Sequence, residues 1–125
     1  MGDMTKEERI LLYNNAMALW GEEAQLRMLT EECSELIQVC MKLMRPNLDD
    51  LSLQLHRDNF IEELVDVSIM LEQFMLAGGT SKDNFKLGKS IAEVKSIKLA
   101  RLQDSIAAYS KFNHDLDYDE DDWLE

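Results

Sequence analysis
The chain has 125 residues, 46% of them apolar, with five glycines and a single proline, enough for one domain around one core and favouring helices over internal strands. A formal charge of −12 argues against a nucleic-acid partner, although residues 115–125 alone carry seven acids and leave about −5 for the rest. No apolar run approaches the roughly 20 residues of a membrane span, and the chain opens without the n-region and h-region of a signal peptide, so the expectation is a cytoplasmic protein with no membrane partner.

Thr5 with Glu8 makes a capping box, and Ile10, Leu11, Met17 and Trp20 follow at helical spacing. A first helix of about fifteen residues should therefore stop at Gly21. A second is predicted from near Glu22 to Met44, ahead of Pro46, because the residue before a proline is pushed out of the helical region. Cys33 and Cys40 lie seven apart on it, about 10 Å of rise, so they cannot bridge each other and read as buried thiols of a reducing compartment. Leu48, Leu51 and Leu55 give no more than a turn or two of amphipathic pattern, and this stretch reads as a connector. Asn59 with Glu62 starts the third helix, and Ala77-Gly78-Gly79 ends it. With Val65, Ile69 and Leu76 opposite its acids this helix is apolar almost all round, as expected of one buried centrally or at a subunit interface.

Residues 82–101 hold six of the thirteen basic residues: Lys82, Lys86, Lys89, Lys95, Lys98 and Arg101. Ser90 with Glu93 forms another capping box, predicting a fourth helix over about 90–112. On its wheel Lys98 falls among Leu87, Ile91, Val94 and Tyr109, with Lys95 on the same side near Leu102, so two cations point toward an apolar face. Residues 115–125 lack a core pattern and read as a mobile acidic tail after one domain, 1–114. The tail is no EF-hand loop, because its sixth position is Glu120 rather than glycine.

The second and third helices share a feature that a core seam should avoid. At about 100° per residue, Glu32 falls inside the apolar arc of Leu26, Leu29, Leu36, Val39 and Leu43, with Glu35 at its edge and Glu31 on the polar side. Thirty-one residues on, Glu63 lies between Met70 and Phe74, with Asp66 at the edge and Glu62 outward. Buried carboxylates cost several kcal/mol unless paired or metal-bound. If the two helices pack antiparallel, the four acids meet with few cations near. Hard oxygen donors without thiolate or imidazole suit Mg²⁺ or Mn²⁺ rather than zinc. A di-iron reading would need Glu-x-x-His pairs, and the residues three before His56 and His114 are Leu53 and Lys111.

The run Glu31-Glu32-x-x-Glu35, followed after twenty-seven residues by Glu63-x-x-Asp66 in EELVDV, resembles the signature of the all-α nucleoside triphosphate pyrophosphatases of the MazG-like type. Trp20-Gly21 with Gln25 ahead of the first motif, and Lys98-x-x-Arg101-Leu102 in the last helix, extend the likeness over about residues 13–106. The resemblance implies an all-α, four-helix MazG-like bundle completed by dimerisation, as a homodimer or homotetramer. It also implies Mg²⁺-dependent hydrolysis of a nucleoside triphosphate to the monophosphate and pyrophosphate. By match to the motif, Glu32, Glu35, Glu63 and Asp66 are the expected metal ligands, with Glu32 or Glu35 also the catalytic base. Lys98 and Arg101 by that pattern, with Lys95 on the same side of the helix, become the phosphate-binding set. Trp20 and Gln25 become candidates to stack on and hydrogen-bond the base.

Two alternatives stand beside this reading. One is a non-enzymatic oligomeric adaptor that works through its acidic tail. The other is a hydrolase of a phosphoribosyl-linked pyrophosphate using the same acids.

Overall fold
The computed structural model describes residues 2–77 and 90–115. Among them the chain is all-helical, without a strand: α1 (Lys6–Trp20), α2 (Glu22–Leu43), α3 (Asp50–Ala77) and α4 (Ile91–Asp115). No helix among these residues is long and apolar enough to cross a membrane.

Helix α1 begins where its cap requires. The Thr5 hydroxyl accepts from the Glu8 N–H at 3.1 Å and donates to Glu8 Oε1 at 3.3 Å, so Glu8 returns to the capping side chain itself. Its end is shared with the start of α2. The Gly21 N–H donates to the Met17 carbonyl at 2.9 Å, and the Gly21 carbonyl accepts from the Gln25 N–H at 3.2 Å. One residue thus closes one helix and opens the next. It adopts φ +85°, where a side chain is strained, although a Cβ there would meet nothing within 4 Å. Glycine is needed here for its backbone and not for space.

The third helix is longer than its sequence pattern suggests. It starts at Asp50 rather than at Asn59, and runs for 28 residues. Asp49 supplies the cap: its Oδ1 accepts from the Ser52 N–H at 2.7 Å and its carbonyl from the Leu53 N–H at 2.9 Å. The stretch around 48–56 that reads as a connector is therefore mostly helix. A strong aspartate cap just after the Pro46–Asn47 turn outweighs a thin apolar pattern. Asn59 lies inside the helix.

Antiparallel packing of α2 on α3 follows from three cross-helix pairs: Gln25 with Gln73, Glu32 with Asp66, and Glu35 with Glu63. Seven residues forward on α2 match seven back on α3, and three forward match three back. The register is constant along the seam. Val39, Val67 and Met70 are buried, and Tyr13 of α1 joins them. Helix α1 is tied to α3 by an ion pair between Arg9 and Glu72 and by the Tyr13 hydroxyl, which donates to the same Glu72 oxygen at 3.0 Å. The Arg9 and Tyr13 hydrogen bonds hold the Glu72 carboxyl below its ordinary range. Burial, and then the bond to Glu72, push the Tyr13 phenol up.

The chain divides into two compact units, Met1–Lys86 and Leu87–Glu125. Helices α1 to α3 belong to the first and α4 to the second. Helix α4 takes the expected cap, the Glu93 N–H lying 3.4 Å from Ser90 Oγ, and continues past Phe112 to Asp115. Lys95 and Lys98, expected against an apolar face, are exposed, and among the described side chains of this helix only Ile91, Val94 and Asn113 are half-buried. Val65 and Ile69 of α3, expected in a central core or at a subunit interface, are about half exposed in the single chain. Cys33 and Cys40, expected to be buried, are half-buried free thiols. The stop at Gly78-Gly79, the cations Lys82, Lys86 and Lys89, and the acidic tail from 116 onward lie outside the described residues.

Replacing Thr5 with alanine should cost about 1 kcal/mol in urea denaturation, the ordinary loss for an N-cap hydroxyl. Acid should remove two further supports. Ser52 holds the Asp49 carboxyl low, and Arg9 and Tyr13 hold that of Glu72, so their contributions should persist at neutral pH. They should be lost as pH falls through those lowered values, a loss that Asp49→Asn and Glu72→Gln should each diminish in the acid limb of a stability–pH curve.

Candidate metal centre
The α2–α3 register brings the acids together midway along the seam. Glu32, Glu63 and Asp66 each place one carboxylate oxygen so that all three lie within 4.8 Å of one another. Glu32 and Glu63 are half-buried, whereas Asp66 is exposed. Glu35 stands beside them, exposed, close enough to share a hydrogen bond with Glu63 and to repel Glu32. Four acids therefore gather, three in the tight group and one on its rim. Glu31 is exposed on the outer side of α2, as its wheel position requires.

Electrostatics make this cluster costly as it stands. Burial is the first cause that raises the Glu32 carboxyl above its ordinary range, followed by the charges of Glu35 and Asp66 and a hydrogen bond with Asp66. Glu63 is raised likewise, by burial first and then by the charge of Glu35 and a hydrogen bond with it. A carboxyl–carboxyl hydrogen bond exists only while one partner carries a proton. With both ionised there is no donor, and Glu32 Oε2 and Glu63 Oε2 are then shielded from solvent with no hydrogen-bond partner at all. Two shielded, orphaned oxygens in an all-carboxylate group fit a hard divalent cation. Mg²⁺ and Mn²⁺ are the ions this donor set favours.

No protein-family model matches the chain, and neither curated proteins nor solved structures give a match. The reading of this centre rests on its own residues.

The other predicted site residues fall in several places. Trp20, next to the Gly21 joint, is 63% exposed, so its indole is free to stack. Gln25 is 6% exposed, and its Oε1 accepts from Gln73 Nε2 at 2.8 Å. Its position is inside the seam, two turns from Glu32. Lys95, Lys98 and Arg101 are all exposed on α4 in the second unit.

Three residues of interest escape a motif-based reading. Gln73, 4% exposed, is invisible until its partner across the helices is known. Glu72 looks like one more surface acid of α3, yet it anchors Arg9 and Tyr13. His56, whose Nδ1 is shielded and unpartnered, sits seven residues before Glu63 on the same face of α3. That seven-residue spacing was readable in the sequence, but only by treating 48–56 as helix. At about 10 Å of rise His56 is too far along α3 to ligate the same cation as Glu63.

The raised carboxyls define a sign. A carboxyl whose folded pKa lies above its unfolded one supports the fold fully below the unfolded value and loses that support as pH rises through the folded value. In EDTA the melting temperature should therefore fall as pH is raised from mildly acidic to neutral. The double variant Glu32→Gln/Glu63→Gln should flatten that fall and melt higher than the wild type at pH 7. A wild-type curve unchanged by the substitutions would mean the two groups are not strained.

Proposed function
We propose that the chain is a Mg²⁺-dependent nucleoside triphosphate pyrophosphohydrolase that converts a (d)NTP to the (d)NMP and pyrophosphate. The observation that carries this reading is the group of Glu32, Glu63 and Asp66, with Glu35 beside it and two of its oxygens shielded and unpartnered. The motif likeness to MazG-like pyrophosphatases supplies the substrate class.

In this reading Glu32, Glu35, Glu63 and Asp66 hold the cation or cations. Bound there, a divalent ion supplies charge neutralisation for the triphosphate and polarises the phosphoryl group under attack. The chain's own groups do the rest. Either Glu32 or Glu35 is assigned to take the proton of the attacking water, and the exposed Glu35 can pass it to solvent. Water oxygen bonds to the α-phosphorus, the bond from that phosphorus to the bridging oxygen breaks, and pyrophosphate leaves. Lys95, Lys98 and Arg101 are assigned to the outer phosphates, Lys as a point charge and Arg as a fork. Trp20 is assigned to stack on the base.

The proposal includes association of the chain with further copies of itself, as a dimer or a dimer of dimers. Its support is the amount of apolar surface one chain leaves open. On α3 alone Ile61, Leu64, Val65, Ile69 and Met75 are each between 46% and 58% exposed.

The test is product analysis with a panel of canonical and deaminated nucleoside triphosphates, with Mg²⁺ and with EDTA. Mg²⁺-dependent monophosphate and pyrophosphate are expected, with no diphosphate. Glu63→Gln should lower kcat by at least about a hundredfold while keeping the helical circular dichroism signal. Lys98→Ala/Arg101→Ala should raise KM, by roughly tenfold for each lost charge-assisted bond. Release of diphosphate, or turnover unaffected by EDTA, would overturn the assignment.

A further inference from the structure
Among the described residues, the Gln25–Gln73 pair is the most buried polar feature of the first unit. The two side chains are 6% and 4% exposed and are joined by a 2.8 Å hydrogen bond across α2 and α3. Neither bears a charge, and their hydrogen bond is to each other. They lie one heptad from Glu32 and Asp66, in the same antiparallel register. A pair of leucines would fill such a place at lower desolvation cost.

What the amides provide is discrimination between registers. Polar side chains recur every seven residues on the two faces: Gln25 and Glu32 on α2, and Asn59, Asp66 and Gln73 on α3. Sliding one helix by seven residues, about 10 Å, keeps the apolar seam in phase. One such slide sets Glu32 opposite Gln73, and the other sets Glu32 opposite Asn59 and Gln25 opposite Asp66. Each replaces an acid–acid contact by an acid–amide contact, in which a carboxylate meets a donor instead of another negative charge. Electrostatics alone therefore favour both slipped arrangements over the one observed. Only the observed register joins amide to amide, and slipping leaves at least one buried amide without its partner, a cost of about 1–3 kcal/mol. The six-residue connection 44–49 does not forbid the slide, since it can span up to about 20 Å when extended.

We propose that Gln25 and Gln73 are positioning residues: their buried hydrogen bond locks the α2–α3 register and so forces Glu32, Glu63 and Asp66 into one cluster against their repulsion. The inference deepens the metal-centre reading and rests on it for its purpose, though the register itself can be measured apart from any metal.

The test compares the wild-type seam with Gln25→Met/Gln73→Met and with Gln25→Leu/Gln73→Leu, which remove both partners at once and leave no orphaned amide. Nitroxide labels at the exposed positions 30 and 57, in the full chain with Cys33 and Cys40 replaced by serine, report register as a distance distribution. Mn²⁺ titration followed by electron paramagnetic resonance reports the cluster. The expected result is one narrow distance for the glutamine pair. For the apolar pairs we expect a second population displaced by up to about 10 Å, helical content retained, and Mn²⁺ affinity lowered at least roughly tenfold. A single unchanged distance in both apolar variants would overturn the proposal. Loss of helical signal in both would also overturn it, by making the pair a requirement for folding rather than for register. Absence of Mn²⁺ binding in the wild type, with the distance result as expected, would instead remove the metal-centre reading and leave the register lock standing.

Discussion
Repulsion among carboxylates is the constraint on which the first unit turns. Glu32, Glu63 and Asp66 converge on one place in the α2–α3 seam, with Glu35 at its rim and no lysine or arginine paired with any of them among the described residues. Left to themselves these charges would part the helices or shift them. Attachments on either side oppose that tendency. Val39 of α2 and Val67 and Met70 of α3 are buried as these helices pack. The amide pair fastens the helices one heptad away, and α1 braces α3 through Arg9, Tyr13 and Glu72. The acidic cluster is tolerated because its surroundings are over-determined.

This arrangement shows why a locally unfavourable feature is evidence of function in a way that a favourable one is not. Leucine at position 32 would satisfy the wheel, the packing and the electrostatics together. The chain instead keeps a side chain that all three oppose, and does so again thirty-one residues later with Glu63. A fold selected for stability alone would discard both. Two such departures meeting in space are difficult to ascribe to chance placement of acids on solvated helix faces.

Much of this was legible in the sequence because it depends on angular position along a helix. The wheel separates Glu32 and Glu63 from Glu31 and Glu62, and the structure has the first two half-buried and the other two exposed. The caps at Thr5 and Ser90 and the break at Gly21 are chemical signals confined to a few residues, and they hold. Features that depend on a partner far along the chain were not legible. Gln25 could be noticed beside Trp20, but its partner Gln73 is 48 residues away, and nothing local marks a glutamine as buried. Glu72 is hidden for the same reason. The start of α3 is obscured for a different reason: its apolar pattern over 48–56 is weak, and the aspartate cap at Asp49 decides the outcome.

The single-residue joint at Gly21 carries a consequence for how such a chain can change in length. Because the residue that ends α1 also begins α2, no slack separates the Trp20 position from the seam. Adding or deleting one residue between Gly21 and Glu32 would turn the acid by about 100° out of its face, and the connection offers nowhere to absorb the error. Insertions are instead admissible at 44–49, where the chain is neither helical nor committed to the seam. The segment from Gly21 to Val39 should accept substitutions away from Gly21, Gln25, Glu32, Glu35 and Val39 but no change of length, which the hairpin at Pro46 can absorb.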